Sequence, residues 1–136
     1  MRPSAALLLL LLLLLPLILG ADIQPAQATR CWQAAIELGG GNPKWQPPPV
    51  LVHDELLLPG LSGRIHGEYE LRIRTRSTGQ LEVVERIHLF LLPRETAHDL
   101  LLIHEYLHAV YQRRATKPRF LRKHPDAELW IKGLMP

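Results

Sequence analysis

The run from Thr96 to Ala115 constrains this chain more than any other stretch. It contains no glycine or proline and is apolar on most sides. Such a run predicts a helix that other elements must cover. Thr96 suits its N-cap, with Asp99 three residues on, and Thr116-Lys117-Pro118 supplies the stop. Leu100, Ile103, Leu107 and Val110 make the expected core stripe. Ala97, Leu101, His104, His108 and Tyr111 make the adjoining face. Inside the run stands His104-Glu105-Tyr106-Leu107-His108, an HExxH pentapeptide. On a helix, residues four apart share a face, so the two imidazoles are offered to one point. That arrangement takes two corners of a zinc ion. Glu105 is turned from His104 by about 100°. At that flank a carboxylate can serve a water as general base without being a ligand. A histidine pair carried on a central buried helix also has to find partners, and zinc would satisfy both rings at once.

The elements that cover this helix are legible as β structure. From His66 to Arg76 the chain alternates: Tyr69, Leu71, Ile73 and Thr75 against Glu68, Glu70, Arg72, Arg74 and Arg76. Leu81 to Leu92 alternates again, with Leu81, Val83, Glu85, Ile87, Leu89 and Leu91 in one phase, and Ser77-Thr78-Gly79-Gln80 between them is a turn. The two strands predict a β-hairpin with one wet face. Pro93 closes the second strand. Val50 to His53 is a further candidate strand, and Leu56-Leu57-Leu58 before Pro59-Gly60 is a short apolar plug at a turn. Residues 39–49 are rich in glycine and proline, which excludes a helix or a central strand there. Trp45 within that loop is expected to anchor it on the core. Before it, residues 31–38 predict a short helix, and Pro125 to Gly133 predicts another at the far end. The fold class is α+β: a small antiparallel hairpin or sheet packed on the HExxH helix, followed by a short glutamate-bearing helix.

Residues 1–28 read as a secretory signal: Arg2, a leucine-rich stretch from Leu7 to Leu19, and Ala26-Gln27-Ala28 before the cut. The apolar stretch is short for a bilayer span and is broken by Pro16, so no stable span is expected after cleavage. Residues 29–136 then form one small domain, secreted or periplasmic. Its single cysteine, Cys31, allows no internal disulfide and is expected to be a buried apolar residue. The net charge of +3 does not suggest a nucleic-acid partner. Residues 113–123 concentrate Arg113, Arg114, Lys117, Arg119, Arg122 and Lys123. They suit a helix C-terminus and a solvated loop, and offer a surface for anionic contact.

Two histidines leave the third ligand open, with His124, Asp126 and Glu128 downstream. His53, His66 and His88, on or beside strands, read as surface or satisfied polar residues. His98 is turned about 120° from the pair and cannot join it. The chain resembles the gluzincins, the thermolysin-like metallopeptidases, in their minimal form. The resemblance rests on His104, Glu105, His108 and Glu128, and on the order of sheet, HExxH helix and glutamate helix over residues 66–134. It implies that His104, His108 and Glu128 hold Zn2+ and that Glu105 activates water. Lys132 stands where the thermolysin branch has an acidic residue that orients a histidine. Tyr111, His124 and Tyr69 are candidates to steady the oxyanion or contact substrate. The implied activity is that of a zinc metallopeptidase, a hydrolase of peptide bonds acting on a peptide or protein substrate. Two other readings accompany it: a zinc-binding envelope protein without hydrolysis, and a metal-free adaptor domain that works through its basic segment.

Overall fold

The computed structural model describes residues 23–54, 66–92 and 96–134. The leucine-rich part of the expected signal, the 56–60 plug and turn, and Pro93 lie outside the described residues. In chain order the elements are α1 (Pro25–Gly39), β1 (Val50–Asp54), β2 (Gly67–Thr75), β3 (Leu81–Leu91), α2 (Asp99–Ala115), α3 (Pro118–Lys123) and α4 (Ala127–Ile131). The fold is α+β, with helices gathered on one face of a three-stranded sheet.

The hairpin forms where the alternation places it. β2 and β3 pair antiparallel from Thr75↔Leu81 to Gly67↔Leu89, and Gly79 closes the turn at a φ of 84°. The sheet is mixed and not purely antiparallel, because β1 joins β3 in parallel, with Val50 opposite Ile87 and Asp54 opposite Leu91. Strand order β1-β3-β2 puts the most apolar strand in the middle. Leu81, Val83, Ile87, Leu89 and Leu91 are all buried on its helix-facing side. On that side β2 contributes Gly67, Tyr69, Leu71 and Ile73, the cross-strand partners of this phase.

α1 is longer than the expected 31–38. Pro25 opens it, with the fixed φ that suits a first turn, and Gly40 ends it in the left-handed conformation at φ 65°. The expected cut after Ala28 falls within its first turn. Gln27, on the side that would be removed, donates to Ala97 O at 2.7 Å and to Asp99 Oδ1 at 2.9 Å. Cys31 is buried as expected, with Trp32, Ala35 and Ile36. These four pack on Ile87, Leu89 and Leu91 of β3 and on Leu102, Tyr106, Ala109 and Val110 of α2. Trp45 packs at the edge of this core, and its carbonyl accepts from Trp32 Nε1 at 3.1 Å. A second, smaller core joins Leu81 and Val83 to Ala127 and Trp130 of α4.

α2 differs from expectation at its start and in its buried face. His98 takes the N-cap position, with no side-chain cap bond, so Thr96 does not cap it. Asp99 is held instead by Gln27 and by Arg30, whose guanidinium donates to both carboxylate oxygens at 3.0–3.1 Å. The stripe Leu100–Ile103–Leu107–Val110 is the core stripe only in part: Val110 is buried, and Ile103 and Leu107 pack at the core's edge. The buried side is Leu102, Glu105, Tyr106, Ala109, Val110 and Arg113, while Leu100 is 81% exposed. A helix apolar nearly all round carries no dominant face in its periodicity. Here the face is chosen by specific partners: Tyr106 meets Trp32 edge to face at 5.2 Å, and Arg113 enters the interior against Glu85. After Ala115 the chain stops as expected, and Pro118 then opens the unexpected short helix α3, which buries nothing.

Candidate metal centre

With Tyr106 and Arg113 turned inward, His104 and His108 are turned outward and both are exposed. The pair is therefore not a buried one in need of partners. Their rings meet edge to face with centroids 5.0 Å apart. Two imidazoles on one tetrahedral zinc, with Zn–N of about 2.0–2.1 Å, need centroids about 5.3 Å apart. The spacing thus fits two of the four positions of such an ion.

Glu105 sits behind the pair and is only 4% exposed. Its carboxyl lies against Gly67, at the start of β2: a Cβ there would stand 2.8 Å from Glu105 Oε1. Only glycine leaves that room. Burial pushes the Glu105 carboxyl above its ordinary range. The charges of His108 and His104 work against the shift, and Glu68 adds to it. β2 continues past the site, so that the Tyr69 ring lies parallel to the His108 ring, 6.0 Å away with 9° between planes.

Tyr69 is itself held from behind. Its hydroxyl donates to Glu85 Oε2 at 2.7 Å. Trp130 Nε1 donates to the same oxygen at 3.2 Å, and Arg113 Nη2 reaches Glu85 Oε1 at 2.5 Å. Arg113 Nη1 also donates to Gln46 O at 2.7 Å, and its guanidinium lies 5.3 Å from the Trp32 ring centroid. The side chains of this ion pair are 0% and 6% exposed. Burial and the neighbouring Glu85 carboxylate push the Tyr69 phenol far above its usual range. Its proton is committed to Glu85, so Tyr69 acts here as a support for the His108 ring and not as a free donor.

The other expected residues lie elsewhere. Glu128 is exposed on α4, with Lys132 Nζ 3.8 Å from its carboxylate, and faces a groove lined by Asn42, Trp45, Leu121 and Ile131. Asp126 accepts from Leu81 N at 2.8 Å and fixes the start of β3 to α4. His124 packs on Phe120, ring centroids 4.7 Å apart, and its Nδ1 is enclosed without a hydrogen-bond partner. Tyr111 is 53% exposed. Among the described residues, no group of three or more His, Cys, Asp or Glu side chains is gathered so as to hold a metal ion. The donors fit as a pair, and a third is not assembled beside it.

Sequence reasoning missed the Glu85–Arg113 network. One signal pointed to it: Glu85 occupies the apolar phase of β3, between Val83 and Ile87. The basic segment is correspondingly smaller than expected. Arg113 is buried, and Arg114 Nη1 donates to Gly39 O at 2.6 Å, which satisfies a terminal carbonyl of α1. Among the described residues no helix is long and apolar enough to cross a membrane. Compared with protein-family models, curated proteins and solved structures, the chain shows no match.

Proposed function

We propose that this chain is a zinc-dependent peptidase of the HExxH type, secreted or periplasmic, that acts on extended peptide. One observation carries the reading: α2 presents His104 and His108 to solvent at zinc-compatible spacing, with Glu105 between them and β2. His104 and His108 would hold the ion. Zinc bound there supplies Lewis acidity and makes a nearby water easier to deprotonate. Glu105 accepts a proton from the attacking water and returns it to the leaving amine. Tyr69 keeps the His108 ring from turning. Among the described residues β2 is an edge strand with β3 as its partner, so its outer side can pair with an extended substrate beside the histidines.

Glu128 is the proposed third ligand on the resemblance alone. Its carboxylate stands beside Lys132, so an unchanged zinc affinity in Glu128→Ala would reassign that position. The near-complete burial of Glu105 favours a second reading, a zinc-binding envelope protein without hydrolysis. A single comparison separates the two. Incubate the chain and Glu105→Gln with a mixed peptide library and follow cleavage by mass spectrometry, with zinc content measured alongside against His104→Ala. Cleavage by the wild type, lost in Glu105→Gln with zinc retained, supports the peptidase. Zinc without cleavage supports the second reading. Zinc content unchanged by His104→Ala sinks both.

A further inference from the structure

The opposite face of the sheet carries a second pair of histidines, one from each of two strands, backed by a carboxylate from the third. His53 lies in β1, His88 in β3 and Glu70 in β2, all on the side away from the helices. His53 Nε2 and His88 Nδ1 stand 2.8 Å apart. His88 Nε2 is 2.5 Å from Glu70 Oε2, and Glu70 is braced by Arg72 at 2.7 Å. The His53 ring also lies along Phe90, with centroids 5.1 Å apart.

The centroids of His53 and His88 are 5.0 Å apart with 28° between planes. With a nitrogen–nitrogen gap of 2.8 Å, that places the rings edge to edge with their lone-pair directions nearly in line. Facing nitrogens at this distance share one proton. A tetrahedral zinc in place of the proton needs centroids about 5.3 Å apart and nitrogens about 3.3 Å apart. Pivoting each ring nearly in place meets both requirements; His53 is partly buried, and the His88 side chain is 16% exposed. Glu70 on the far nitrogen of His88 is the carboxylate–histidine–metal arrangement, which fixes the tautomer and strengthens the ligand.

We propose that His53 and His88 form a separate zinc-binding pair on the outer sheet face, with Glu70 orienting His88 and solvent completing the coordination. The metal takes the place of the shared proton, which moves to Nδ1 of His53, so that both rings bind as neutral imidazoles. It also staples the short edge strand β1 to β3, so binding stabilises the fold. The site is independent of the HExxH helix and stands whether or not the chain is a peptidase.

The test uses the whole chain carrying His104→Ala and His108→Ala, both exposed positions whose loss leaves the core intact. Titrate it with Zn2+ by calorimetry, and follow the imidazole resonances of His53 and His88 and the melting temperature. One equivalent is expected to bind, to shift both resonances and to raise the melting temperature. Adding His53→Ala should weaken binding at least tenfold and abolish the thermal shift. Adding Glu70→Gln should weaken it about tenfold while leaving the stoichiometry unchanged. No zinc uptake by the doubly substituted chain, or uptake that His53→Ala does not weaken, overturns the proposal and leaves the pair as a hydrogen bond only.

Discussion

Replacing Arg113 by Met tests the centre of this structure. Methionine nearly fills the volume but removes the charge and all three contacts: Glu85 Oε1 at 2.5 Å, Glu85 Oε2 at 3.4 Å and Gln46 O at 2.7 Å. What remains is a carboxylate 6% exposed, with Tyr69 and Trp130 as its donors. Removing one partner of a buried pair costs about 3–5 kcal/mol, because the other charge is left uncompensated. Total stabilities of about 5–15 kcal/mol make that a large fraction. At about 4–8 °C per kcal/mol in a domain of this size, the melting temperature should fall by about 12 °C or more. Urea unfolding followed by circular dichroism measures the loss directly. The double variant Arg113→Met/Glu85→Gln makes the site neutral and keeps an acceptor for Tyr69 and Trp130. It should be less destabilised than the two single variants summed, by more than about 1 kcal/mol. A cost for Arg113→Met below about 1 kcal/mol, or strict additivity in the double variant, would refute a desolvated, coupled pair.

Two further predictions concern the site and the α1–α2 junction. Gly67→Ala places a methyl 2.8 Å from Glu105 Oε1. It should displace that carboxylate at a stability cost of about 1–2 kcal/mol while lowering peptide cleavage as far as Glu105→Gln does; full activity in a folded Gly67→Ala would show that Glu105 need not sit against β2. Asp99 is held below its ordinary value of 3.8, first by the Gln27 hydrogen bond and then by Arg30. Its contribution to stability is thus present above that value and disappears as pH falls through the lower folded value. Asp99→Asn should therefore be less stable than the wild type at pH 7, with the difference closing as pH falls below the ordinary value of 3.8; a gap that widens in acid would reverse the assignment.

What the sequence disclosed follows from where period and punctuation are unambiguous. The period-two runs 67–75 and 81–91 gave the hairpin to within a residue or two, because slipping either by one would expose Ile87, Leu89 and Leu91. The HExxH helix and its stop before Pro118 were equally legible. Long-range choices were not. Glu85 and Arg113 are 28 residues apart, and although Glu85 stands in the apolar phase of β3, nothing local names its partner. His53 and His88 are 35 apart, and no local spacing rule joins them. β1 could have paired with either edge of the hairpin. The start of α1 was hidden because Ala26-Gln27-Ala28 fits a cleavage rule and a helix turn equally well.

The exposure of the HExxH histidines follows from the same buried pair. α2 is apolar nearly all round, so hydrophobicity alone discriminates weakly between its rotations about its axis. Turning it by half a revolution would bury His104 and His108 and bring Leu100, now 81% exposed, towards the core. That rotation would also carry Arg113 away from Glu85 and strand a carboxylate behind Tyr69 and Trp130. Losing one side of a buried pair costs about 3–5 kcal/mol, more than the roughly 1.5–3 kcal/mol gained by burying one leucine. The charge pair therefore fixes the angle of the helix, and the angle of the helix delivers both imidazoles to solvent. Glu105, about 100° round from His104 and about 60° from His108, is left at the boundary with β2, where Gly67 makes space for it. A single carboxylate in the wrong phase of a strand thus helps decide which face of the neighbouring helix meets solvent.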